Sequence, residues 1–207
     1  MLEFKYQIKH MGFLFYVPII VAVLLIPFIL LMPDNAQKGM FIALEFIVIP
    51  MAAWWAIYQL YFFYHQGAEE ILVHFFSKVM LINYAKFIGV SLVLNLLLTG
   101  IYSIKFQSDF LILFFLFVGQ SVLFSSVGLL IAVIFKDIEI AIVLLTLYTS
   151  TEIITFGELL PGFHLFVFDL PVSLRDVMIN NGFYLFISII LLAVSYKVSS
   201  TMERNIL

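Results

Sequence analysis

The chain has 207 residues, of which 64% are hydrophobic and only 11% charged, whereas a water-soluble domain is roughly half apolar and a quarter charged. This excludes a soluble globule, and apolar runs long enough to cross a bilayer recur along the sequence. The absence of Cys excludes thiol catalysis, disulfides and Cys-ligated zinc, and a net charge of −3 leaves no basic stripe for a nucleic acid.

The first eleven residues put Phe4, Ile8 and Met11 on one side and Lys5 and Lys9 elsewhere, predicting an amphipathic N-terminal helix at the membrane surface. Since a helix needs roughly 20 apolar residues to cross about 30 Å of hydrocarbon, six spans are predicted, at 13–32, 40–64, 87–104, 110–135, 138–156 and 177–196. The runs are continuous and not alternating, which favours helices over barrel strands. The first follows Lys5 and Lys9 but carries Pro18 and Pro27 and lacks a small-x-small cleavage site, so it is expected to be retained. Lys5, Lys9, Lys78, Lys86, Lys136, Lys197 and Arg204 fall on the side of the termini, against Lys38, Lys105 and Arg175 opposite. The excess predicts that both termini are cytoplasmic, and Trp54, Trp55, Tyr58, Tyr61 and Tyr64 read as an interfacial belt at the cytoplasmic end of the second span. The outer connections are short except 157–176, whose Pro161, Gly162, Phe163, Phe166, Phe168 and Pro171 suggest a re-entrant hairpin. One transmembrane domain over 1–207 is expected.

Four polar residues fall inside these spans, where a central charge costs about 2.5–3.5 kcal/mol. Glu45, five residues into its span, reads as a side chain reaching the outer headgroups; Asn95 and Gln120 read as interhelical hydrogen bonds. Glu152 lies among Thr146, Thr149, Ser150, Thr151 and Thr155, beside Glu158 in the hairpin. Glu152, Glu158 and Thr149 could line a translocation path, and an interhelical contact fits Glu152 equally well. In span four Ser121, Ser125, Gly128 and Ala132 form a small-residue face for close helix approach.

No Gly-Lys pair or G-x-G-x-x-G is present, so the chain has no P-loop. His10, His65, His74 and His164 have no zinc-protease spacing, and no metal or cofactor site is expected in the chain. The loop between spans two and three is more informative. After Gly67, the residues Ile71, Leu72, Phe75, Phe76 and Val79 form an apolar helical face, opposite Glu69, Glu70, His74, Ser77 and Lys78. A loop helix resting on the headgroups is one reading, but helices that bind membrane surfaces are usually rich in Lys and Arg; this one begins with two acids, so a cytosolic protein partner competes with it.

The string Gln66-Gly67-Ala68-Glu69-Glu70-Ile71-Leu72, followed by Ser77-Lys78 and Tyr84-Ala85-Lys86-Phe87, resembles the first cytoplasmic loop of ABC-2-type permeases, the membrane subunits of ATP-driven exporters. Gly67, Glu70, Leu72, Ser77 and Lys86 match that family's pattern, whereas Phe76 stands near a common Pro and Lys78 replaces an Arg. The resemblance implies a permease in the cell membrane, of bacterial plasma-membrane type, paired with a second copy or a sister permease. It also implies a coupling helix, with Gly67, Glu69, Glu70, Leu72, Phe75, Phe76, Ser77 and Lys78 touching a separate ATPase subunit that binds ATP and Mg²⁺. The chain itself would not be an enzyme. With no large outer domain, the expected cargo is amphipathic or hydrophobic: a peptide, an antibiotic or a lipid. Two alternatives are a non-transporting membrane anchor and an intramembrane protease-like enzyme using Glu69 and Glu70, although the prenyl-protein protease motif has Arg where His74 stands.

Overall fold

The computed structural model describes residues 8, 9, 11–61, 64, 76–159, 165–168 and 170–206. Its main helices are α1 (Val17–Leu31), α2 (Gln37–Tyr58), α3 (Phe76–Phe106), α4 (Phe110–Phe135), α5 (Ile138–Thr155) and α6 (Leu174–Ile206), and no strand occurs among the described residues. The segments Asp34–Tyr58, Ser77–Phe106, Phe110–Phe135, Ile138–Thr155 and Leu174–Thr201 are long and apolar enough to cross a membrane. α1 is apolar but only 15 residues long.

The helix ends follow from local chemistry. Residues expected in span one form a 3-10 turn at Gly12–Phe15, and α1 starts afterwards because Pro18 occupies its first turn, where a missing N–H costs nothing. α2 begins at Gln37, directly after a 3-10 turn at Asp34–Ala36. It stops short of the expected residue 64, because Leu60 N–H bonds Ile57 O at 3.0 Å in a tightened turn and Gln59 Nε2 takes Ala56 O at 3.0 Å. Asp109 caps α4 by accepting from Leu111 N at 3.0 Å and Ile112 N at 3.2 Å. The α4–α5 turn uses Lys136 in the left-handed region, with φ of 53°, then Asp137 as the cap that accepts from Glu139 N at 2.6 Å. A connection this short forces α5 to run antiparallel to α4. Ser173 Oγ accepts from Asp176 N at 3.1 Å and starts α6.

α3 begins eleven residues before the expected span, and the segment carrying Ser77, Lys78, Asn83 and Lys86 continues it without a break. Beside this extension lies the C-terminal half of α6, where Ser199 Oγ contacts Met80 Sδ at 3.6 Å. Of the expected coupling residues, Phe76 opens α3, Ser77 is buried and Lys78 exposed, whereas Gly67, Glu69, Glu70, Leu72 and Phe75 lie outside the described residues. The same holds for residues 160–164 and 169 of the expected hairpin and for residues 1–7 of the amphipathic N-terminal helix.

α4 is the hub, packed against α2, α3, α5 and α6. Its small residues Ser121, Ser125, Gly128 and Ala132 are all buried, as expected. Asn95 Nδ2 donates to Ser121 Oγ at 2.8 Å, and Tyr84 OH is 2.9 Å from both Ser125 Oγ and Ser126 Oγ. A Cβ on Gly128 would lie 2.9 Å from Leu145 Cδ1 and 3.0 Å from Ile57 Cδ1, the flexible ends of both side chains. Gly128→Ala is therefore expected to be tolerated, and Gly128→Leu to destabilise by about 1–3 kcal/mol through overpacking, measured by thermal unfolding in detergent. Trp55 departs from the interfacial reading. Trp55 is buried, and Trp54 and Trp55 donate to Leu14 O and Phe15 O, both at 2.9 Å, anchoring the 3-10 turn before α1. The outward faces of α1 and α6, with Leu24, Leu31, Ile179, Phe186 and Ile189 exposed, suit hydrocarbon and not water.

Candidate functional site

α2 and α5 do not close fully on each other. Between them runs a groove of about 220 Å³, with Phe124 of α4 at its floor. The α2 wall is apolar: Phe46, Pro50, Met51, Trp54 and Ile57 recur at helical spacing. Pro50 lies inside the helix and has no N–H to offer the carbonyl of Phe46, which loosens α2 at the groove. The α5 wall carries hydroxyls at Thr146, Thr149 and Ser150, above Ile142 and Leu145. Thr146 Oγ1 donates to Ile142 O and Thr149 Oγ1 to Leu145 O, both at 2.8 Å. With these protons engaged on their own helix, the hydroxyls offer lone pairs to the groove. Trp54 commits its N–H to Leu14 O. The groove is apolar on one side and hydrogen-bond accepting on the other.

Phe46 and Phe124 also contact a strap of chain at the C-terminal end of α5. Its Phe166 ring stacks on Phe46 with centroids 4.2 Å apart and lies 6.2 Å from both Phe124 and Tyr148. Polar groups hold the strap down. Tyr148 OH accepts from Leu165 N at 3.1 Å, Gln120 Nε2 donates to Leu165 O at 2.8 Å, and Glu45 Oε1 accepts from Val167 N at 2.9 Å. Gln120 Nε2 also donates to Glu45 Oε1, so α2, α4 and the strap meet at one pair of side chains. Both are 0% exposed. Glu45 therefore does not reach toward headgroups; it turns inward because Gln120 and the strap supply donors that lipid cannot. The expectation that Asn95 and Gln120 make interhelical hydrogen bonds holds for both.

Thr149 lines the groove, and Glu152, one turn on, is buried on the same helix. Glu158 is exposed beyond the end of α5 and is not among the groove residues. Glu45, Gln120 and Phe166 were not read as site residues from the sequence, although one signal was present. Glu45 lies eight residues after the start of α2 and Gln120 ten after the start of α4, depths of about 12 and 15 Å at about 1.5 Å per residue. Polar side chains at matching depth are natural partners. Among the described residues no group of three or more His, Asp or Glu side chains is placed to hold a metal ion. No protein-family profile, curated protein or solved structure matches the chain.

Proposed function

We propose that the chain is the permease subunit of an ABC exporter in a bacterial plasma membrane, with six spans and both termini in the cytoplasm. On this reading α1 crosses together with its preceding 3-10 turn. Fifteen residues of α-helix and four of 3-10 helix reach about 30 Å at rises of about 1.5 and 2.0 Å per residue. The observation that carries the reading is the groove between α2 and α5, with hydroxyls along one wall and an aromatic strap at one end. A bundle serving only as an anchor gains nothing from such a wall.

A second copy of the chain or a sister permease completes the groove. Region 67–78 engages the ATPase, and ATP and Mg²⁺ belong to that subunit. Closure of the ATPase dimer pushes on the start of α3, which is one continuous helix from Phe76 to Phe106. Contact with the far half of α6 lets both helices move together. The cargo that suits the groove is an amphipath with an apolar body for Phe46, Met51 and Trp54 and an N–H or O–H donor for Thr146 and Thr149.

The test is co-purification from native membranes followed by ATP turnover in lipid nanodiscs. An ATPase subunit is expected to accompany the chain, and Glu70→Ala is expected to weaken its retention or uncouple turnover from cargo. Absence of any ATPase, together with proteolysis by the chain alone, overturns the assignment.

A further inference from the structure

The Glu45–Gln120 pair has few alternatives. The Gln120 amide nitrogen serves both Glu45 Oε1 and Leu165 O, and Val167 N–H serves the same Oε1. Among the described residues the remaining oxygens, Glu45 Oε2 and Gln120 Oε1, are buried without a protein hydrogen bond. The pair therefore hangs on three bonds, two of which the strap supplies. If the strap lifted while α2 and α4 stayed together, Gln120 Nε2 would lose Leu165 O and Glu45 Oε1 would lose Val167 N–H, leaving the pair only their mutual bond inside a dry bundle. Parting α2 from α4 as well lets water reach these groups. Motion of the strap is thus tied to the separation of two helices, one of which forms a wall of the groove and the other its floor.

We propose that Glu45 and Gln120 are positioning residues for a gate: they hold 165–168 down so that Phe166 covers the Phe46 and Phe124 end of the groove, and this cover lifts only when α2 and α4 part. This builds on the groove described under the proposed function, but its test needs neither an ATPase nor a known cargo. A failed gate leaves the ABC assignment standing, and a missing ATPase leaves the gate standing.

Because the natural chain has no Cys, a single introduced thiol can be followed cleanly. Leu165→Cys reports on the strap and Leu113→Cys on the core of α4; both positions are buried, at 6% and 4% exposure. In lipid nanodiscs, reachable from both faces, a sulfonated maleimide is expected to label the strap thiol slowly. Adding Glu45→Leu or Gln120→Leu is expected to speed this on the order of tenfold, the scale of losing one or two net hydrogen bonds. Glu45→Gln, which keeps an acceptor for Val167 N–H and adds a donor, is expected to restore protection. The α4 thiol is expected to stay slow throughout. An unchanged rate at the strap thiol in both leucine variants overturns the proposal. So does equal acceleration at the α4 thiol, which would mean that the whole bundle had loosened.

Discussion

Gly119→Ala is expected to destabilise the protein by about 2–4 kcal/mol, far more than the same change at Gly128, because overpacking at about 1–3 kcal/mol combines with loss of a buried hydrogen bond at about 1 kcal/mol. A Cβ at Gly119 would collide with Asn181 Oδ1 and lie 2.7 Å from Asn181 Cγ and 3.3 Å from Tyr184 Cδ2, all on α6. Asn181 cannot easily swing aside, because its Nδ2 donates to Phe115 O at 2.6 Å and its side chain is buried. At Gly128 the two nearest atoms are the methyl ends of Leu145 and Ile57, which can rotate away. Asn181→Ala supplies the control. It removes the obstructing amide, so Gly119→Ala/Asn181→Ala is expected to be less damaged than the sum of the single changes, with a coupling of about 1–3 kcal/mol. Unfolding curves for the four proteins in one detergent test this. Additive effects would show that α4 and α6 do not meet here as closely as the structure places them.

The contrast between these two glycines shows what the sequence could and could not reveal. Gly128 belongs to a run of small residues at helical spacing, so its role in close approach was legible from Ser121, Ser125, Gly128 and Ala132. Gly119 has no such company, and its importance depends on Asn181, 62 residues away. The apolar helices were legible for a similar reason: hydrocarbon demands long unbroken runs, and a span such as Phe110–Phe135, bounded by a capping Asp and a left-handed Lys, is marked at both ends. α3 was harder to bound. Ser77 and Lys78 are expected in a separate amphipathic helix, and Asn83 and Lys86 precede the expected span, but packing of Met80 and Tyr84 into the core carries all four on one helix.

The site was only half legible. Hydroxyls clustered near the end of span five singled out Thr149 and Glu152, because polar groups are rare in lipid. Glu45 turns inward although its place along its own span points to the headgroups. Its partners sit 75 and 122 residues away, and one of them is a backbone N–H with no side-chain signature at all. Phe166 reads in the sequence as one aromatic of a hairpin, yet its seat between Phe46, Phe124 and Tyr148 depends on three helices at once. Contacts made through backbone atoms leave little trace in composition or spacing.

On the proposed exporter reading, Thr146→Phe is expected to abolish cargo-stimulated ATP turnover while leaving basal turnover and co-purification of the ATPase intact. Thr146 is exposed on the hydroxyl wall, so a ring there enters open groove and does not strain the core. Its hydroxyl donates to Ile142 O one turn back, a bond of small net value to the helix. Thr146→Val has a different consequence. Valine keeps the shape of threonine but removes the lone pairs, so a cargo that donates to this wall loses one hydrogen bond of about 1 kcal/mol, or roughly fivefold in apparent affinity. Maximal turnover is expected to hold, because the groove stays open. The comparison uses whichever amphipath stimulates the native complex, with concentration curves for each variant. If phenylalanine blocks and valine is neutral, the groove selects by shape and apolar contact alone. If neither changes the stimulated rate, the cargo does not pass between α2 and α5.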